Sequence, residues 1–478
     1  MELKEKIIYY LKQVVKIPRA SGDEKAISDY LVKFAKEHGY KVTQDDLYNV
    51  IIEVPSTIPD YAGPSVVLQG HMDMVYVKEP DSPHIYEEGI DCTVDGDRIY
   101  STQKTSLGAD NGVALAYFLT IMDSKEIPHP PLEIIVTTQE EVGLIGAQYL
   151  DCSSIKSKYF INLDSESEGE FFTSCAGGVR NYFTVPMGEK HPQKLIPLTI
   201  KLQGLKGGHS GTDINLGRGN AIKLLGRVLK EANSDDVMLS SFKAEGKANS
   251  ISTAATAIVG VNPSRLCEFK TKIAETANLI KNELQYTDTP NLIIEENKDE
   301  NAYKYYDNDS KNKLLNALEL LPFGVVSKSF SIKGLTETSV NIGSAEENNG
   351  EIKFLSSVRS CVASRKYELL GRIDTIARVL GCKSEAFNDY PQWNYNPNSP
   401  LRELALRVYE DMFHKKAATA SIHGGLECGY FDSKINDVDI ISIGCNLYDV
   451  HTSKEQASIQ SLYNVWDMLL EILKRLAS

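Results

Sequence analysis

Ile7, Ile8, Leu11, Val14 and Val15 recur at helical spacing, and Pro18 limits the helix they predict. Ser21-Gly-Asp-Glu24 has the form of a capping box. It predicts the start of a second amphipathic helix through Ile27, Tyr30, Leu31, Phe34 and Ala35, ending near Gly39. Short, nearly continuous apolar runs follow at 65–69, 132–136 and 159–163, separated by helix-like stretches such as 112–122. Runs of that length fit strands buried on both faces. Their alternation with helices predicts an α/β domain built on a mixed, largely parallel sheet.

From about residue 183 the pattern changes. Strand-like segments at 197–203, 251–259 and 352–357 alternate with helices at 220–232, 265–284 and 311–321, which predicts an α+β unit of its own. The stretch 285–310, rich in Asn, Asp, Glu and Tyr, reads as an exposed loop. Pro391, Pro397 and Pro400 mark another boundary, after which the α/β texture returns and closes with an amphipathic helix near 461–476. The expected organisation is one domain formed by 1–182 and 391–478, interrupted by an inserted domain at 183–390. A chain of 478 residues is longer than one core usually supports, which agrees with two domains.

Composition narrows the function. Lys plus Arg number 51 and Asp plus Glu 65, a formal charge of −14. That surplus argues against a dedicated nucleic-acid or anionic-membrane binder, since phosphate contacts need clustered cations. No apolar run approaches the roughly 20 residues of a membrane span. The first residues, Met-Glu-Leu-Lys-Glu-Lys, carry charge where a signal peptide needs an apolar stretch. Eight scattered cysteines without a CxxC pair read as reduced thiols. We therefore expect a cytoplasmic protein.

The chemistry-bearing residues sit where apolar runs end. His71 and Asp73 are two apart on an extended strand, so Asp73 can accept a proton from one imidazole nitrogen while the other binds a metal. Leu107-Gly-Ala-Asp-Asn-Gly112 is a small-residue turn presenting Asp110 at the start of a helix, where taken alone it reads first as an N-cap. Glu140 and Glu141 close the run at 132–136, and adjacent positions on extended backbone point to opposite sides. Asp164 closes the run at 159–163, and His451 follows the run at 440–443. Open α/β sheets bind ligands at the carboxyl ends of their strands. Two histidines and several carboxylates there suit a pair of divalent cations such as zinc.

With these residues in view the chain resembles the M20-type metallopeptidases, close to their cytosolic Xaa-His dipeptidase branch. The resemblance rests on Ile17-Pro-Arg-Ala-Ser-Gly22, Leu68-Gln-Gly-His-Met-Asp-Met-Val75, Leu107–Gly112, Glu140-Glu-Val-Gly-Leu-Ile-Gly-Ala147 and Asn162-Leu-Asp164. It continues through Gly207-Gly-His-Ser-Gly211, Gly217-Arg-Gly-Asn220 and His423-Gly-Gly-Leu-Glu-Cys-Gly429. It implies a zinc-exopeptidase-type catalytic domain interrupted by a lid that also dimerises in some members, so a monomer or homodimer is expected. It implies two divalent metal ions per chain, zinc first, with manganese or cobalt admissible. His71, Asp110 and Asp164 would hold one ion and Asp110, Glu141 and His451 the other, with Asp73 orienting His71. Glu140 would be the general base, and His209 would donate to the developing oxyanion. Arg359 would clamp the substrate's terminal carboxylate, with Asn249 contacting the same group. The implied substrate is a small dipeptide with a free C-terminal carboxylate.

Two departures bear on specificity. Asn249 is followed by Ser-Ile-Ser-Thr where this branch has Ala-Ile-Pro-Arg, and the last motif reads His451-Thr-Ser-Lys-Glu455 in place of His-Ser-Pro-Asp-Glu. An N-acyl amino acid deacylase, a tripeptidase or a catalytically silent peptide binder on the same fold stay open as alternatives. For His423, a structural and a functional role remain equally open.

Overall fold

The computed structural model describes residues 1–299, 302–330, 332 and 334–477. The chain divides into two compact units, one of Met1–Cys175, Trp393–Ser421 and Leu426–Ser478, the other of Ala176–Gln392 with Ile422–Gly425.

The first unit is built on an eight-stranded sheet. Its order is Lys41–Gln44, Val50–Val54, Leu132–Thr137, Val66–His71, Tyr159–Ser165, Asp439–Gly444, Glu170–Cys175 and Ala418–Ile422. The four central strands, from Leu132–Thr137 to Asp439–Gly444, are mutually parallel. Antiparallel pairs flank them on both sides. Val66–His71 is buried along its whole length, so its sequence shows no alternation. The helix Ala109–Met122 is buried at every position, as expected of a segment apolar all round. The helix Leu3–Val15 joins the same core through Ile7, Tyr10, Leu11, Val14 and Val15. Ser458 accepts the Ser461 N–H and so caps the closing helix Ile459–Leu476.

The second unit is α+β. Its five-stranded antiparallel sheet runs Gly324–Lys328, Thr336–Asn348, Glu351–Ser360, Gly177–Pro186, Lys383–Tyr390. A four-stranded antiparallel sheet runs Val237–Lys243, Ala255–Val261, Ile196–Gln203, Asn291–Glu296. The helices Ala221–Glu231, Leu266–Leu284, Asn308–Leu320 and Ala363–Leu380 complete it. Asn220 caps the first of these by accepting the Ile222 and Lys223 N–H groups. Among the described residues no helix is long and apolar enough to cross a membrane.

Several expectations need correction. The division between units falls after Cys175 rather than at 182–183, because Gly177–Pro186 pairs with Glu351–Ser360 over its whole length. Residues 422–425 also group with the second unit. The capping box at 21–24 does not form: Glu24 is the N-cap of Lys25–Glu37 without a side-chain cap bond. Ser21 donates instead to Asp73, and Glu24 accepts the Gly22 and Gln139 N–H groups. The strand expected at 251–259 is confined to Ala255–Val261. The stretch 285–310 is no exposed loop: Asn291–Glu296 is an edge strand, and Tyr305 and Tyr306 are buried. Residues 300 and 301 of that stretch lie outside the described residues.

Phe118 is fully buried in Ala109–Met122. Phe118→Ala should cost about 3–5 kcal/mol through lost transfer energy and the cavity left behind. A denaturant melt of the two proteins checks this.

Candidate active site

The four central strands of the first unit run parallel, so their carboxyl ends share one edge of the sheet, where open α/β sheets bind ligands. His71 is the last residue of its strand, Asp164 the penultimate residue of the next, and Glu140 and Glu141 follow Leu132–Thr137. His451 follows Asp439–Gly444 after a short connection and takes a left-handed backbone, φ 62°. A β-carbon makes that conformation costly, and such strain collects at functional sites.

The five expected ligands are brought together. His71 Nε2 lies 3.1 Å from Asp110 Oδ1 and 3.1 Å from Asp164 Oδ1. His451 Nε2 lies 3.2 Å from Asp110 Oδ2 and 2.7 Å from Glu141 Oε1. Asp110 thus presents one oxygen to each imidazole. Asp73 is fully buried behind His71, its Oδ1 3.3 Å from Nδ1. It also accepts the consecutive N–H groups of Glu140 and Glu141, at 3.0 and 3.2 Å, and the Ser21 hydroxyl at 2.7 Å. The two glutamates stand on a turn, not on extended backbone. Gln139 has φ 51°, and the Gly143 and Leu144 N–H groups return to the Glu140 carbonyl.

Two buried residues that sequence reasoning left without a role fix this arrangement. Glu455 accepts the N–H groups of Leu107, Gly108, Ala109 and Asp110 at 2.8, 2.9, 2.7 and 3.2 Å. It therefore caps the turn that carries Asp110, a helix start whose N-cap, Gly108, supplies no side chain. Arg19, also fully buried, donates to the carbonyls of Met72, Asp73 and Gly108. It ties the exit of the His71 strand to the Asp110 turn. A third buried residue, Glu427, accepts from Gln69 Nε2 at 2.6 Å and Thr137 Oγ1 at 2.8 Å. All three stood inside quoted motifs; their partners, mostly backbone groups or residues on other strands, left no pattern in the sequence.

In the second unit His209 Nδ1 lies 3.3 Å from the N–H groups of both Gly211 and Thr212. A nitrogen that accepts cannot carry the proton, so the neutral ring bears it on Nε2 as a donor. Burial and the Arg359 charge hold this imidazole below its ordinary pKa and thus neutral. Asn249 is exposed, and its carbonyl accepts the Ser210 N–H at 2.8 Å, placing it beside the His209 turn. Arg359, 8 % exposed, donates to the Tyr390 hydroxyl at 2.7 Å. His423 is buried with Nε2 2.7 Å from Ser339 Oγ.

The model of peptidase family M20/M25/M40 matches residues 67–475. The chain belongs to that family. It is 34% identical over 471 residues to the cytosol non-specific dipeptidase of Escherichia coli K12, covering 97% of this chain and 96% of that one. The aminoacylhistidine dipeptidase structure from Vibrio alginolyticus superposes with a TM-score of 0.91 at 31% identity, over 99% and 98% of the two chains. An aminopeptidase structure from Bacillus cereus, at 17% identity and TM-score 0.62 over 99% of both chains, shares the fold.

The donor set of this M20 chain fits a cation pair. His71, Asp110 and Glu141 can direct one ligand atom each to a common point. The charges agree. Burial lowers the basicity of His71, but Asp164, Asp110 and Asp73 outweigh it and hold the imidazole well above its ordinary pKa. Hydrogen bonds to Asp110 and Glu141 push His451 up to about 11. Both imidazoles thus sit where positive charge is favoured, and divalent cations on the same nitrogens would take the place of protons.

Two predictions follow from these contacts. Glu455→Ala leaves four buried N–H groups without their acceptor, so the Asp110 turn loosens; metal affinity should fall about 10- to 100-fold, read by competitive chelator titration. Burial and the neighbouring Arg359 push His423 down to about 3, against 6.5 for a free imidazole. Between those values the unfolded chain binds the proton and the folded chain does not, so stability is lost as pH falls below 6.5. From pH 7 to pH 5 the wild type should lose about 2 kcal/mol more than His423→Asn, by denaturant melts at each pH.

Proposed function

We propose that this M20 peptidase hydrolyses dipeptides with a free C-terminal carboxylate, using two divalent cations, of which zinc suits the mixed imidazole and carboxylate donors best. The observation that carries the reading is the bridging disposition of Asp110, one oxygen beside each imidazole at 3.1 and 3.2 Å. The near full-length similarity to a cytosol non-specific dipeptidase supports the substrate class and a cytoplasmic setting. Similarity to an aminoacylhistidine dipeptidase structure supports histidine as one acceptable C-terminal residue.

His71, Asp110 and Asp164 would hold one cation, and Asp110, Glu141 and His451 the other. When bound, the pair would supply Lewis-acid polarisation of the scissile carbonyl and acidify the attacking water. Burial raises Glu140 well above the ordinary carboxyl range. Its assigned work is to take the proton of the attacking water and deliver it to the leaving amine nitrogen. Asp73 holds His71 in orientation and fixes the Glu140 turn through the two N–H bonds it accepts. The His209 Nε2–H donates to the carbonyl oxygen as its charge develops, a contribution of about 3–4 kcal/mol where such donors are preorganised. Arg359 grips the terminal carboxylate with two parallel N–H bonds, setting the length of peptide accepted. Asn249, exposed beside the His209 turn, contacts the same carboxylate. On this reading the inserted unit supplies His209, Asn249 and Arg359 to the reaction.

A side-by-side assay of carnosine, generic dipeptides, tripeptides and N-acetyl amino acids tests the substrate class in zinc-, manganese- and cobalt-loaded protein. Dipeptides should be the best substrates, and faster turnover of the acetylated compounds would overturn the reading. Chelation should abolish activity and added metal restore it. Glu140→Gln should lower kcat by about two to four orders of magnitude while metal content, measured by elemental analysis, stays at the wild-type value.

A further inference from the structure

Arg359 is a buried cation with no ion-pair partner among the described residues, and its Nε has no hydrogen-bond acceptor. A buried guanidinium normally lies against a carboxylate. The register of the five-stranded sheet shows how this one escapes that. Directly opposite residues on antiparallel strands place their side chains on one face. Across the sheet Ser339 faces Arg359, Arg359 faces Gly178, and Gly178 faces Tyr390. One row thus carries Ser339, Arg359, a gap at Gly178, and Tyr390. The phenol fills the gap: a β-carbon on Gly178 would overlap the Tyr390 hydroxyl and ring.

The edge strand reaches this arrangement by an irregularity. Phe387 pairs with Arg180, but the next pair is Tyr390 with Gly178, so three steps on one strand match two on the other. One residue is extra, which defines a β-bulge, and Asn388 within it has φ 50°. Continued without the bulge, the register would set Asp389 opposite Gly178. Its carboxylate would then share the row and the face of Arg359. With the bulge Asp389 is turned to Lys366, whose ammonium pairs with it and also donates to the Tyr390 carbonyl at 2.9 Å. The neighbour on the other flank is neutral too, the Ser339 hydroxyl bonded to His423.

We propose that the bulge at Asn388–Asp389, with Gly178, makes Tyr390 a positioning residue that orients Arg359 through its hydroxyl while keeping a carboxylate out of the row. The guanidinium is thereby held ready for the carboxylate of the substrate rather than neutralised by the protein's own. This rests on the reading that Arg359 binds that carboxylate. A phenol oxygen accepts one N–H and fixes the plane of the guanidinium without cancelling its charge. An aspartate in the same place would form an internal ion pair that the substrate would have to displace.

The test compares kcat/KM for a dipeptide and for its C-terminal amide in metal-loaded protein, with thermal melts as the folding control. Arg359→Met tests the underlying reading, and it should abolish the preference for the free carboxylate. Tyr390→Phe should raise KM for the dipeptide about three- to tenfold, the loss lying in KM rather than kcat. Gly178→Ala, which displaces the phenol, should do at least as much. Tyr390→Glu, which supplies the missing carboxylate, should reduce the preference for the dipeptide on the order of a hundredfold. If Arg359→Met leaves the preference unchanged, the carboxylate reading itself fails. If Arg359→Met abolishes it while Tyr390→Phe, Tyr390→Glu and Gly178→Ala do not alter it, the positioning inference is overturned. Equal losses on both substrates would also overturn it, since they would mark a merely structural tyrosine.

Discussion

Asp110 has to remain ionised inside the protein, and much of the first unit is arranged around that demand. Desolvation opposes its charge, but hydrogen bonds to His451 and His71 hold it well below the usual carboxylate range. Those bonds exist only if the turn carrying Asp110 is fixed, and Glu455 fixes it by taking four successive N–H groups. Glu455 and Asp73 are themselves buried acids, so a cation among them is required. Arg19 is that cation: Glu455, Asp73 and Asp110 all favour its charge against complete burial. Gly108 completes the turn. It sits at φ 75°, and a β-carbon there would fall 2.6 Å from the Arg19 guanidinium and 2.7 Å from the Met74 sulfur. Removing Arg19, Glu455 or Asp73 would leave a buried charge without its partner.

Arg359 in the second unit solves the opposite problem. Arg19 meets its environment inside the protein, through three carbonyls and nearby acids, and can do nothing further. Arg359 has a phenol oxygen and an unpartnered Nε. A buried charge is costly when nothing balances it, and an arriving anion recovers that cost as binding. On the proposed reading, the difference between a structural and a ligand-binding arginine lies in what the neighbouring backbone withholds, in this case through one extra residue in an edge strand.

These distinctions mark where the sequence was legible. His71, Asp110, Glu141, Asp164 and His451 each follow or interrupt an apolar run, and a parallel sheet converts that position into a shared edge. Their convergence could therefore be anticipated from spacing and strand pattern. Glu455 could not, because its partners are main-chain N–H groups about 345 residues away, and no side-chain pattern encodes a main-chain acceptor. The capping box at Ser21–Glu24 failed for a related reason: a local hydrogen bond of about 1 kcal/mol yields to a buried carboxylate, Asp73, that needs the hydroxyl more. At Asn291–Glu296 three apolar residues, Leu292, Ile293 and Ile294, sit among polar ones, and pairing to Ile196–Gln203 outweighs the composition.

The remaining carboxyls divide by environment into two kinds, and the division follows the chemistry each can perform. Asp110 and Asp73 accept hydrogen bonds from donors on several sides, which offset burial and hold both below the ordinary range. Glu140 and Glu427 are as deeply buried, but burial dominates, raising Glu140 well above its ordinary value and Glu427 to about 8. Glu427 belongs to a hydrogen-bonded rung, Asn162 to Gln69 and Gln69 with Thr137 to Glu427, that crosses three adjacent parallel strands beneath the ligands. A neutral acid there binds the strands together without adding negative charge to a centre already rich in it. Glu140 differs from Glu427 in its setting, since its backbone N–H is held by Asp73, but both side chains keep a raised affinity for a proton. Solvation and hydrogen bonding thus set the buried acids of one site to different proton affinities.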